Sequence, residues 1–224
     1  SGPRNISTAM MRSWGNRPDT AVCDEPLYAH YLGMTGYDHP GASEVIATGE
    51  TDWRKVIARL TGAVPGGKHI FYQKQMTHHL LPEIDRNWLG LVTNCFLIRD
   101  PREVITSYIK KNRDPAFEDL GFVQQAEIFE WVGEHTNAIP PVVDARDVLE
   151  NPERALRSLC QAVGVEFSAA MLLWPPCARA TDGICAEYWY PEVEASTSFR
   201  RYDAKEEKVP ERFLGVYRKC LDFS

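Results

Sequence analysis

The sequence has no unbroken apolar run near the roughly 20 residues that a membrane-spanning helix needs, so no membrane span is expected. It has no basic excess either: 25 Lys and Arg stand against 31 Asp and Glu, a formal net charge of −6. Dedicated nucleic-acid binders are usually basic, so no nucleic-acid partner is expected. No C-x-x-C pair occurs among the six cysteines, Cys23, Cys95, Cys160, Cys177, Cys185 and Cys220. Scattered in this way they read as reduced packing residues and point to the cytoplasm, with Cys177 and Cys185 the pair that could close across a loop. Neither H-E-x-x-H nor spaced Cys/His ligands are present, so no metal site is expected. The nucleotide-triphosphatase signature G-x-x-x-x-G-K-[ST] is missing too.

What is present suits one domain with a sizeable core: 224 residues, 44% hydrophobic and 25% charged. Residues 1–14 read as a small-residue turn running into a helix. Gly2 and Pro3 bend the backbone, Asn5, Ser7 and Thr8 are helix-cap types, and Ala9, Met10, Met11 and Arg12 favour helix. Such a turn aims free backbone N–H groups and the positive end of a helix dipole at one spot, which suits phosphate. Arg4 and Arg12 add charge. The bland alternative is an ordinary capped surface helix. A phosphate turn ordinarily follows a buried strand, so a strand ahead of residue 1 is expected.

Further along, strands are expected at 20–23, 69–73, 94–98 and 141–145, and loop over 38–49. Helices are expected at 27–32, 52–60, 122–137 and 210–221. Asp100-Pro101-Arg102-Glu103 is a strong helix start: Asp at the cap, Pro at the first position, and Glu placed to close a capping box. Asn151-Pro152-Glu153 opens another. Residues 178–224 read as an irregular lid or C-terminal segment, within which Tyr188-Trp189-Tyr190 stands out. Strands alternating with helices predict an α/β domain of three layers, a central parallel sheet flanked by helices. Ligands collect beyond the carboxyl ends of such strands. The turn at Arg4, the Asp24-Glu25 pair, Lys74 to His79, and Arg99 all fall at such ends.

These residues carry a resemblance. The chain resembles sulfotransferases that use 3′-phosphoadenosine 5′-phosphosulfate (PAPS), which have a P-loop-NTPase-like fold. That family opens with P-[KR]-S-G-T-T, which binds the 5′-phosphosulfate. Here Pro3-Arg4-Asn5-Ile6-Ser7-Thr8 matches at the proline, the basic residue and both hydroxyls, with Asn5 and Ile6 in place of Ser and Gly. The family's second signature is a strand ending in Arg, then N/D-P, then Ser eight residues after the Arg. Residues 95–108 fit it throughout, with Arg99 and Ser107 as the implied ligands of the 3′-phosphate.

Thr77-His78 with Leu80 and Pro82 resembles the T-H-L-P segment whose His is the catalytic base in cytosolic sulfotransferases. Asp24-Glu25-Pro26 resembles the G-E-P of bacterial trehalose-type enzymes, where Glu is the proposed base. Residues 143–152 resemble the Y-E-D-L-x-x-x-P segment that enters a late helix, and Arg200-Arg201 could stand for the late basic clamp on the cofactor. The resemblance covers roughly residues 1–165. In detail the chain is similar to small bacterial sulfotransferase-like proteins related to the plant branched-chain-aminotransferase-like group.

The resemblance implies PAPS as cofactor, a small-molecule acceptor and no metal; a monomer and a homodimer both remain open. Arg4, Asn5, Ser7, Thr8, Arg99, Ser107, Arg200 and Arg201 are the implied cofactor ligands. His78 and Glu25 remain rival bases. Lys74 either covers the bridging oxygen of the leaving group or snorkels at a strand end, and Asp24 is expected to organise Arg4 or Arg12. His30 and His79 read as surface or partly buried polar residues. Tyr188-Trp189-Tyr190 lines an acceptor pocket, stacks on adenine, or packs the core. A kinase-like nucleotide enzyme and a non-catalytic phosphate-binding interaction domain remain the alternatives.

Overall fold

The computed structural model describes residues 1–37, 40–110, 114–136, 138–183, 186, 190–204 and 207–223. Strand β1 (Thr20–Asp24) pairs in parallel with β2 (Ile70–Lys74), and β3 (Phe96–Ile98) with β4 (Val142–Asp144). The register sets Asp24 opposite Lys74 and Ile98 opposite Asp144. Chemistry-bearing residues therefore fall at the carboxyl ends of the strands, where parallel sheets gather ligands.

A single central sheet is expected from the alternating pattern; among the described residues the strands form two separate two-stranded ladders instead. The physical reason is a gap. A cavity of about 470 Å³ lies between β2 and β3, lined by Ile70, Tyr72, Phe96 and Leu97, and no ladder bond crosses it. At its end Ser1 continues the β2 side: its amine donates to the Gln75 carbonyl (3.1 Å), and Thr77 N–H donates to its carbonyl (3.1 Å). That is the hydrogen-bond pattern of a parallel ladder.

Helix α1 (Ser7–Gly15) lays Met10 and Trp14 on a core that includes Leu97, Val148, Leu156, Leu159 and Met171, and Trp14 stacks on Tyr72 at 5.4 Å. Helices α2 (Tyr28–Thr35), α3 (Ala42–Thr48) and α4 (Trp53–Leu60) lie between β1 and β2. Helix α3 falls inside the expected loop. Val45 buries against Ala29 and Leu32, and Gly49 closes the approach: a Cβ there would lie 2.6 Å from that of Ala29. Burial of Val45 of α3 against α2 outweighs the turn-rich composition of the segment.

Helix α5 (Pro101–Tyr108) starts as expected, with the Asp100 carboxylate accepting from Arg102 N–H (2.7 Å). Glu103 does not close the capping box; it turns to Arg99 and Tyr202. Helices α6 (Phe122–Thr136), α7 (Ala145–Glu150) and α8 (Pro152–Ala162) follow, α8 capped by Asn151. The expected lid carries α9 (Pro191–Glu194) and α10 (Leu214–Leu221). It is not detached: Phe213 and Cys220 bury against Val104 and Ile105 of α5, and Leu173 bridges Ser198. Among the described residues no helix is long and apolar enough to cross a membrane, and no group of His, Cys, Asp and Glu could hold a metal ion.

Candidate active site

The turn ahead of α1 puts its left-handed residue at Arg4, with φ of +55°, while Ile6 sits at φ −88°. The Ile6 position therefore does not require glycine. Asn5 holds the turn from inside, donating its amide to the Leu97 carbonyl (3.0 Å) and accepting from Ile6 N–H (3.0 Å). Ile6 supplies no side-chain cap, and the first helical bond is Met10 N–H to the Ile6 carbonyl. The amides of Ser7 and Thr8 precede that bond, so among the described residues the positive end of α1 is left uncapped, as an anion site requires.

Arg4 Nε donates to Ser107 Oγ at 3.1 Å, and Arg99 Nη1 donates to the Arg4 carbonyl at 2.8 Å. Two motifs from distant parts of the chain thus meet. Burial lowers the Arg4 pKa from its usual value, Glu192 opposing and the neighbouring Arg99 adding to the fall. Like charges held side by side are stabilised by an anion between them. Glu103 pairs with Arg99 at 2.8 Å and accepts from the Tyr202 hydroxyl at 2.9 Å, fixing the guanidinium plane. Beside this lies a cavity of about 360 Å³ lined by Pro3, Asn5, Arg99, Tyr202 and Tyr217, of a size suited to a small ligand.

A second cluster forms at the ends of β1 and β2. Lys74, 3% exposed, donates to Asp24 Oδ1 (2.9 Å), Glu25 Oε1 (2.6 Å) and the Tyr190 hydroxyl. Tyr190 in turn donates to Asp24 Oδ2 (2.7 Å), which also accepts from Gly183 N–H (3.1 Å). An ammonium has three donors, and all three are engaged here. Glu25 follows the strand with φ of +39°, a costly conformation for a non-glycine residue, and its N–H still bonds the Lys74 carbonyl (2.9 Å). Burial raises the Glu25 carboxyl above the usual range; Lys74 opposes and Asp24 reinforces. Burial pulls Lys74 down, but the charges of Glu25 and Asp24 outweigh it and hold its pKa well above the ordinary value. Burial also raises the Tyr190 phenol.

His78 sits on a short 3-10 turn, edge-on to Tyr31 at 5.4 Å, and its buried Nδ1 has no hydrogen-bond partner among the described residues. Burial lowers its pKa to about 4. Buried His79 stacks on Tyr28 at 4.7 Å, and buried His30 takes Thr51 and Glu83 as partners. Thr77 hydroxyl donates to the Gly121 carbonyl at 3.1 Å.

The structure thus brings together Arg4, Arg99 and Ser107, with Ser7 and Thr8 at the adjoining helix start, and separately Glu25 and Lys74. Arg200 and Arg201 are exposed, and among the described residues Arg200 reaches Glu192, at 3.7 Å. Asp24 organises Lys74 and Tyr190 rather than Arg4 or Arg12, because Asp182 takes Arg12 in a two-pronged pair of 2.6 and 2.7 Å. Tyr188, Trp189 and Cys185 lie outside the described residues; Cys23, Cys95, Cys160, Cys177 and Cys220 are free thiols. Tyr190 is the residue whose role sequence reasoning missed. Its aromatic run was visible, but nothing local ties it to Asp24.

Residues 1–212 match the model of a family described as sulfotransferase domain. Branched-chain-amino-acid aminotransferase-like proteins 1 and 2 of Arabidopsis thaliana are 34% and 32% identical over 89% and 99% of the chain. The chain spans only 35% and 39% of those two relatives. Among solved structures, the sulfotransferase domain from the Synechococcus PCC 7002 olefin synthase superposes with a TM-score of 0.62 at 13% identity, over 99% of this chain and 91% of that one. The sulfotransferase domain from the curacin biosynthetic pathway gives 0.55 at 12%, over 100% and 96%. At such identity the two structures speak for the fold alone.

Proposed function

We propose that this chain, which belongs to the sulfotransferase domain family, moves a sulfuryl group from PAPS to a hydroxyl or amine of a small-molecule acceptor, with Glu25 as the general base. One observation carries the reading. Arg4, from the first turn, meets Ser107 and Arg99, about a hundred positions away, beside an uncapped helix N-terminus. Three donors of two phosphate-binding signatures converge where the backbone already favours an anion.

The residues present fit the group. Arg4 and the Ser7 and Thr8 amides would hold the 5′-phosphate, and Arg99 with Ser107 the 3′-phosphate; each charge-assisted hydrogen bond contributes roughly 1.5–3 kcal/mol. When bound, PAPS supplies a sulfuryl group on a phosphate that the acceptor's oxygen or nitrogen replaces. Glu25 takes the acceptor's proton. Its raised carboxyl suits that task better than His78, which burial makes a weak base, and Glu25 Oε1 is already oriented by Lys74. Lys74, with no donor to spare, orients Glu25 rather than covering the leaving oxygen.

The test is calorimetric titration with 3′-phosphoadenosine 5′-phosphate alongside ATP and AMP, repeated on Arg99→Ala. Preferential binding of the bisphosphate, weakened at least tenfold by the substitution, supports the reading. Equal or absent binding of all three overturns it.

A further inference from the structure

We infer that Tyr190 is a positioning residue: it closes a hydrogen-bonded frame with Lys74 and Asp24 and leaves Glu25 as the one member free to exchange a proton. The frame can be traced atom by atom. Lys74 donates to the Tyr190 oxygen, Tyr190 donates to Asp24 Oδ2, and Lys74 donates to Asp24 Oδ1. The ring is closed, and Lys74 and Asp24 cancel in charge. Both are essentially buried, their side chains 2% and 3% exposed, whereas that of Glu25 is 22% exposed. Glu25 is therefore the extra carboxylate on a neutral, satisfied frame, and the member a substrate can reach.

Tyr190 is delivered to this place by its own segment. Arg12 of α1 grips Asp182, Gly183 N–H reaches Asp24, and Tyr190 packs on Met11 and Ala186. Three contacts thus set Asp182, Gly183 and Tyr190 around one carboxylate. Among the described residues the groups facing Glu25 are Lys74, Asp24, the Ser1 amine and Tyr190. Through Lys74 the frame also faces Tyr72 and His79.

The consequence has a sign. Without the Tyr190 hydroxyl, Asp24 loses a donor and draws Lys74 toward itself, away from Glu25, so the Glu25 carboxylate is less supported and holds its proton to higher pH. Replacing Asp24 by Asn acts the other way: Lys74 is left with one anionic partner, Glu25, which then releases its proton at lower pH. Opposite shifts from two neighbours are what a frame produces; general loosening moves both the same way.

Its place in catalysis rests on the sulfotransferase reading, so the experiment keeps the two apart. Carbon-13 NMR of glutamate carboxyls, with the Glu25 resonance assigned by its loss in Glu25→Gln, gives the Glu25 midpoint directly in the 224-residue chain. Tyr190→Phe is expected to raise it by about one unit, a tenfold change in proton affinity, and Asp24→Asn to lower it by a similar amount. In turnover with PAPS the acid limb of kcat/KM follows the same two directions, while affinity for the bisphosphate product stays within about threefold, below the effect of one lost hydrogen bond. Shifts of the same sign, or no shift in either variant, overturn the inference. If Tyr190→Phe does not fold, Asp24→Asn decides: a midpoint that rises or stays put sinks the frame. Absent turnover with the shifts intact sinks the sulfotransferase reading and leaves the frame standing.

Discussion

Lys74 Nζ lies 2.6 Å from Glu25 Oε1, at the carboxyl end of two strands whose register brings residues 24 and 74 face to face. The pair is unequal. Lys74 is enclosed, while Glu25 keeps contact with solvent and stands in a strained backbone conformation. Strain of this kind persists only where surrounding contacts hold it, and here the Lys74 carbonyl and ammonium both do so.

Glu25→Gln is expected to lower kcat by about 10²–10⁴-fold, the usual contribution of a general base, while bisphosphate binding is retained. His78→Gln is expected to leave kcat within about tenfold, well short of a lost general base. Steady-state kinetics on both variants, with product affinity measured in parallel, check this. A larger loss in the histidine variant would move the base to His78.

With Glu25 as the proposed base, the wild type is expected to act with that carboxyl ionised, so kcat/KM is expected to rise with pH through a midpoint above the usual carboxylate range, because burial raises that group. The Glu25→Gln variant loses this limb. A pH–rate series in a constant-ionic-strength buffer reads the difference directly.

Ser107→Ala removes the hydroxyl that Arg4 Nε grips at 3.1 Å. Affinity for 3′-phosphoadenosine 5′-phosphate is expected to fall about 5- to 10-fold, the worth of roughly 1 kcal/mol, whereas AMP, which lacks the 3′-phosphate, changes little. An equal loss for both nucleotides would place the serine elsewhere than the 3′-phosphate.

Stability is expected to decline as pH falls from about 6.5 toward 4. Burial holds His78 at about 4 in the folded protein, against 6.5 when exposed, and lowers His79 as well. Over that window the unfolded chain binds more protons, so stability rises with pH by up to about 1.4 kcal/mol per unit for each histidine and falls on acidification. Urea melts across the window, repeated on His78→Gln, should show a shallower slope in the variant.

Ile6→Gly would restore the residue that the related signature carries. Ile6 already holds an ordinary backbone conformation and packs beside the Met10 and Trp14 core. The substitution is therefore expected to cost about 1–2 kcal/mol, from lost burial and added chain entropy, without raising affinity for the bisphosphate. A thermal melt should show a drop of roughly 2–4 °C per kcal/mol at this chain length.

Much of the candidate site was legible because it is local. The run from Arg99 to Ser107 joins a strand end to a capped helix, so its spacing alone sets arginine and serine on one side. The parallel pairing of the strands followed from their alternation with helices, although the pattern did not show that they divide into two ladders. Helix α3 was hidden because turn-forming residues dominate its window and one buried valine decides it.

The sequence by itself determined the strand–helix alternation, the cap at Asp100 and the arginine-to-serine spacing, since each rests on neighbours within a few positions. Only the tertiary structure decided that Arg4 grips Ser107 across 103 positions, that Asp24 faces Lys74 across 50, and that Tyr190 reaches Asp24 across 166. Those contacts depend on strand register and on where the Arg12–Asp182 pair anchors a distant segment. A buried charge takes whichever partner packing places within reach, and local pattern does not say which that will be.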